Sequence, residues 1–170
     1  HKLRDKIGQI KFLVIGHTTP GYLNYIESIV ERLQLKEHFE YVGNKSYDEL
    51  PQYLQKADIG LAIFKPIELR KYAFSLKVIE YMAAGLAVVT TRETQSAALV
   101  TGHECGEAVA FNSEELSEAL YRMLTNREQL KRYVENAIRH SREYDWENLM
   151  NRKLELIRSY YQKAYPPMKP

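Results

Sequence analysis

An α/β fold, a doubly wound parallel sheet of Rossmann-like type with helices on both faces, is what this sequence predicts. Three observations carry the expectation. Short apolar runs alternate with longer stretches of helical periodicity, the pattern of strands joined by crossover helices. Several runs stop at a glycine or a polar turn. The 170 residues, 45% hydrophobic and 27% charged, suit one domain able to bury a core without disulfides or metals.

The elements follow in order. The charged opening His1-Lys2-Leu3-Arg4-Asp5-Lys6 lacks a methionine. It reads as the tail of a helix inside a longer protein, although His1 is equally open to being a tag residue. Ile10–Ile15, closed by Gly16, is the first buried strand. Leu23–Leu35 follows, with Ile26, Ile29, Val30 and Leu33 on one helical face. Phe39–Val42, closed by Gly43, is the second strand. Ser46-Tyr47-Asp48-Glu49 has the spacing of a capping box and opens a helix through Lys56. Ile59–Phe64, apolar apart from Gly60, is the third strand. Lys65–Phe74 is read as a loop. Ser75–Ala84 is a helix closed by Gly85, and Leu86–Thr90 is the fourth strand. A short fifth strand lies at Glu107–Phe111. The Asn112/Glu115 pair caps a helix ending near Thr125, and a second helix spans Arg127 to Arg142. Asp145 caps a last one carrying Trp146, Leu149, Leu154, Ile157 and Tyr161. No linker precedes the Pro166-Pro167 end.

Composition excludes some functions. A formal net charge of +2 without a Lys/Arg run argues against nucleic acid as a partner. No apolar run reaches membrane-spanning length. The single cysteine, Cys105, fits a reducing, cytoplasmic compartment. No Cys/His cluster has metal-ligand spacing, so no metal is expected. A Cys105–His103 nucleophile is a minor alternative to a plain turn between Gly102 and Gly106.

Ligands of such sheets sit beyond the carboxyl ends of the strands. Ser75 is placed to cap its helix, which leaves the amides of Leu76, Lys77 and Val78 without intrahelical partners. Those amides and the helix dipole favour an anion. Lys77 in the first turn opposes the dipole. It is either a solvated lysine or a phosphate ligand. Glu80, one turn on, is either half of an i,i+3 ion pair with Lys77 or an acceptor for sugar hydroxyls. Gly16-His17-Thr18 lets backbone approach a phosphate but lacks a dinucleotide fingerprint. Gly43-Asn44 borders a possible base pocket.

The string Ser75-Leu76-Lys77-Val78-Ile79-Glu80-Tyr81-Met82-Ala83-Ala84-Gly85-Leu86-Ala87-Val88-Val89 resembles the donor-site helix and following strand of retaining glycosyltransferases of family 4, also called glycosyl transferases group 1, which have the two-domain GT-B architecture. Phe39–Gly43, Asp48–Leu54 with Ala57–Leu61, Glu114–Leu116 with Ala119-Leu120, and Tyr144–Glu147 are similar to family segments in the same order. The resemblance covers nearly the whole chain. It implies that residues 1–170 are the C-terminal, donor-binding domain of a longer enzyme. The last helix, about 146–163, would then pack on an N-terminal domain outside this chain.

The resemblance further implies a nucleoside-diphosphate sugar as donor and a glycan or lipid-linked acceptor bound through that other domain. Peripheral membrane association of the full-length enzyme, polysaccharide biosynthesis as its setting, and no cofactor or metal also follow. By position, Glu80 would hold the ribose hydroxyls. The Leu76 and Lys77 amides after Ser75 would cradle the diphosphate with the Lys77 ammonium. Gly43 and Asn44 would border the base, and Gly16, His17 and Thr18 would face the phosphates. Tyr72 stands where the family usually has a glutamate contacting the transferred sugar, which makes Tyr72 and Phe74 the donor-sugar region. This fragment is expected to bind donor weakly and not to turn over alone. The alternatives are a non-catalytic α/β interaction domain derived from such a transferase, and a GT-B-shaped sugar-nucleotide epimerase.

Overall fold

A computed structural model describes residues 2–165. His1 and the Pro166-Pro167 end lie outside the described residues. A short turn, α1 (Arg4–Ile7), leads to β1 (Phe12–Ile15), α2 (Pro20–Arg32) and β2 (Phe39–Gly43). Next come α3 (Leu50–Leu54), β3 (Ile59–Ala62), α4 (Glu68–Tyr72), α5 (Leu76–Ala83) and β4 (Ala87–Thr91). The remainder is α6 (Gln95–Gly102), β5 (Gly106–Val109), α7 (Ser113–Thr125), α8 (Arg127–Ser141) and α9 (Trp146–Ala164). Every pairing is parallel, as expected. The ladders form two sheets, β1–β2 and β3–β4–β5. No described helix is long and apolar enough to cross a membrane.

β4 is the centre of the packing, and all five of its residues are buried. Its side chains alternate between faces, as a pleated strand requires. Val88 joins Ala62, Val78 and Met82 of α5, Val100 and Cys105 on one side, with Ala137 of α8. Ala87 and Val89 join Val109 and the α7 residues Ala119 and Met123 on the other, with Leu130, Tyr133 and Val134 of α8 against them. Helix α8 therefore packs on both clusters. Val78 and Met82 are fully covered, a burial that stabilises by about 1.5–3 kcal/mol per side chain.

Several boundaries differ from expectation for local reasons. Helix α2 starts three residues early because Thr19 caps it, accepting from the Tyr22 amide, and Pro20 at the first helical position has its φ preset. The Ser46/Glu49 box is formed, with the Ser46 amide donating to Glu49 Oε2 at 3.0 Å and the Glu49 amide to Ser46 Oγ at 3.3 Å. Regular α3 begins only at Leu50. Strand β3 ends at Ala62 because side chains take over from the ladder: Thr90 Oγ1 donates to the Ala62 carbonyl at 3.0 Å and the Phe64 amide to Thr91 Oγ1 at 2.9 Å. The segment 65–74 contains α4, not only loop. The caps at Asn112 and Asp145 form as expected, each side chain accepting from the amide three residues on at 2.8 Å.

Three helices end in the same hydrogen-bond pattern. After α2, the Gln34 amide donates to Glu31 and the Leu35 amide to Val30. After α5, Gly85 donates to Met82 and Leu86 to Tyr81. After α6, Glu104 donates to Thr101 and Cys105 to Val100. This is a Schellman closure, which places one residue in the left-handed region. Gly85 takes φ +78° without a Cβ penalty, whereas Gln34 and Glu104 adopt φ +56° and +47°.

Candidate functional site

The crossover from β3 to β4 sets the start of α5 at the carboxyl edge of the strands. Ser75 occupies the N-cap in an extended conformation, but its hydroxyl makes no capping bond. The Val78 amide returns to the Ser75 carbonyl at 3.2 Å, and among the described residues no acceptor meets the amides of Leu76 and Lys77. Two N–H groups thus open outward at the positive end of the helix dipole.

Lys77 is exposed and Glu80 half-buried. Among the described residues neither has an ion-pair or hydrogen-bond partner, so the i,i+3 pair that would explain both residues structurally is not made. Both cations of the preceding helix α4 are engaged. Lys71 pairs with Glu68 at 2.8 Å, and the Arg70 guanidinium lies 4.7 Å from the Phe64 ring centroid. The Glu80 carboxylate leaves its mark on Tyr81, whose hydroxyl pKa is raised first by burial and then by that charge.

Gly16 and Gly43 are brought together at the ends of β1 and β2. The Gly16 amide donates to the Gly43 carbonyl at 3.0 Å, and the Tyr41 hydroxyl donates to the Gly16 carbonyl at 2.8 Å. Both glycines have positive φ, +145° and +79°. His17 and Asn44 next to them are exposed, and Thr18 is half-buried. Among the described residues no hydrogen bond, ion pair or ring contact joins this group to the start of α5. Tyr72, at the end of α4, is exposed, while Phe74 stacks on Tyr144 with centroids 6.3 Å apart. Among the described residues, recesses of about 410 Å³ include one lined by Arg142, Asn148 and Arg152 and one lined by Glu107, Arg122 and Tyr133. Neither borders α5.

Residues 1–140 of the chain match a known family, glycosyl transferases group 1. The chain belongs to this family. It is 28% identical over 123 residues to an uncharacterized glycosyltransferase of Methanocaldococcus jannaschii, MJ1178, a match covering 72% of this chain and 33% of the relative. The chain therefore corresponds to about a third of that protein's length.

The fold of this group 1 domain is shared with solved glycosyltransferase structures. Sucrose-phosphate synthase of Thermosynechococcus elongatus superposes with TM-score 0.76 at 21% identity, covering 95% of this chain and 41% of that one. Anabaena HepE, solved in complex with UDP, superposes with TM-score 0.74 at 17% identity over 88% of this chain and 41% of that one.

The thiol nucleophile is ruled out by packing. Cys105 is fully buried, its S–H directed at the Val100 carbonyl at 3.5 Å. Burial pushes its pKa up to about 11. At pH 8 about one thiol in a thousand is then ionised. His103 does not face it as a base, since its Nε2 meets the Tyr144 hydroxyl at 2.8 Å. We expect a disulfide reagent such as DTNB to leave Cys105 untouched in the folded protein at pH 8 and to label it fully in guanidinium. Prompt labelling of the native protein would show a thiolate that this packing forbids.

Proposed function

We propose that this chain is the donor-binding half of a two-domain glycosyltransferase that moves a sugar from a nucleoside diphosphate, with retention of configuration, to a glycan or lipid-linked acceptor. The observation that carries the reading is the start of α5. A half-buried carboxylate, Glu80, and an ammonium, Lys77, stand without partners among the described residues, beside two open amides. An unpaired, partly desolvated carboxylate costs stability, and a ligand rich in hydroxyls and phosphates supplies what both groups lack. The diphosphate would sit on the Leu76 and Lys77 amides with the Lys77 ammonium, and Glu80 would accept from the ribose hydroxyls. Gly43 and Asn44 would border the base, and Gly16, His17 and Thr18 would face the phosphates. Tyr72 and Phe74 would flank the sugar. The similarly folded Anabaena HepE, solved with UDP and with UDP-glucose, favours a uridine donor.

Catalysis in the complete enzyme would rest on positioning and on stabilising the departing diphosphate, without a resident cofactor. The acceptor would bind through a further domain. Helix α9 supports that arrangement, because Trp146, Leu156 and Tyr160 are each 70% exposed or more. These residues would pack on the other half. The lone unbridged cysteine supports a reducing, cytoplasmic setting.

Calorimetric titration with the diphosphates of uridine, guanosine and adenosine tests the reading. One of them is expected to bind weakly, with affinity falling as salt rises and falling further in Lys77→Ala. Absence of binding by all three would remove the donor site from this chain.

A further inference from the structure

A second cluster of chemistry-bearing side chains lies outside the donor site, and no function described above uses it. His103 sits in the turn between α6 and β5, His140 in the last turn of α8, and Glu143 in the 3-10 turn that follows. One donor atom from each lies within 4.8 Å of the other two. The imidazoles are stacked, with centroids 4.3 Å apart and planes 22° apart. Both are half-buried, while Glu143 opens to solvent. Three polar contacts already orient the group: His103 Nε2 to the Tyr144 hydroxyl at 2.8 Å, His140 Nδ1 to Glu143 Oε1 at 2.6 Å, and the Arg152 guanidinium to the Glu143 carbonyl oxygen.

What carries the site is the convergence of one donor atom from each residue, because a shared cation satisfies the lone pairs of two neutral imidazoles and a carboxylate at once. Tetrahedral coordination at about 2.0–2.1 Å requires donor separations of about 3.3 Å, a closure within reach of small side-chain rotations. Two imidazoles and one carboxylate select a borderline cation over Mg²⁺ or Ca²⁺, which demand oxygen ligands. The i,i+3 spacing of His140 and Glu143 puts both on one helical face, and the fold supplies His103 from the opposite element. Glu143 is exposed, so water can complete the coordination from the solvent side.

We propose that His103, His140 and Glu143 form a site for a divalent transition-metal cation, Zn²⁺ or an ion of its class, that clips the end of α8 to the turn entering β5. The consequence is structural. β5 pairs with buried β4, and α9 begins three residues after Glu143. A bound ion would therefore fix the point from which α9 departs. This inference stands independently of the donor reading, since no residue is shared between the two sites.

Zinc titration of the untagged chain, stripped with EDTA, tests it. The expected result is saturable one-to-one binding, a rise in Tm reversed by EDTA, and no rise with Mg²⁺. Cobalt in place of zinc is expected to give the visible absorption of a four-coordinate ion. Glu143→Gln, His103→Gln and His140→Gln should each weaken zinc binding at least tenfold, while far-UV circular dichroism without metal shows the variants folded. His17→Gln should bind as the parent does. Lack of saturable binding would overturn the site. So would a His103→Gln/His140→Gln double variant that binds as tightly as the parent, because it would assign the ion to other surface histidines.

Discussion

Gly106→Ala is expected to destabilise the protein by about 3 kcal/mol or more, the upper end of the usual cost of overpacking. A Cβ at this position would lie 1.8 Å from the Val88 carbonyl oxygen and 2.6 Å and 2.8 Å from the Val88 carbonyl carbon and amide nitrogen. All three are backbone atoms of β4. That strand cannot retreat, because Ala87, Val88 and Val89 are held by α5 and α6 on one face and by α7 on the other. Relief requires opening the β4–β5 ladder where Val88 and Gly106 are in register. For a chain of this size the loss corresponds to a fall of roughly 6–12 °C in Tm. Gly21→Ala is the matched control. It lies within α2 with nothing near its missing Cβ, so alanine should raise stability by up to about 1 kcal/mol. Chemical denaturation of the two variants beside the parent decides the matter. A Gly106→Ala midpoint equal to the parent's would mean that β5 is not packed as described.

Gly106 also marks where sequence reading reached its limit. The glycine in β3 could be noticed, because it interrupts an apolar run. Its reason emerges only in three dimensions: a Cβ on Gly60 would meet the Tyr81 ring at 2.4 Å. All five strands were legible, since parallel strands read as short apolar runs, but β1, expected to be buried, is not: Phe12 is exposed and the rest of β1 is only half-buried, because β1 and β2 form a separate two-stranded sheet. The caps at Asn112 and Asp145 were legible for a similar reason, each being a local side-chain-to-amide bond three residues long.

Helix α6 was missed because it lacks polar and apolar faces. Ser96 and Ala97 are both buried, and its left-handed closing residue is Glu104 where a glycine would have announced the end. The five residues of α4 make little more than one turn, too few for a helical period to repeat. At the site, the start of α5 was legible, but the choice between ion pair and ligand groups at Lys77 and Glu80 was not, because spacing permits both. The histidine pair was invisible for a simpler reason. His103 and His140 are far apart in sequence, and only the packing of α8 against the β4–β5 region brings them together.

Glu80→Ala is expected to separate affinity from stability. A hydrogen bond to a charged group contributes about 1.5–3 kcal/mol. Losing the ribose contacts should thus weaken nucleoside-diphosphate binding roughly tenfold to hundredfold. Folding should hardly notice. The carboxylate makes no ion pair with Lys77 and accepts no hydrogen bond among the described residues, so the denaturation midpoint should stay within about 0.5 kcal/mol of the parent. Removing an unpaired, half-buried charge can even stabilise slightly. Glu80→Gln, which keeps an acceptor but loses the charge, should fall between parent and alanine in affinity. A conventional surface ion pair would behave in the opposite way, with a small loss of stability and no change in nucleotide binding. The two measurements together therefore distinguish a residue kept for its ligand from one kept for its helix.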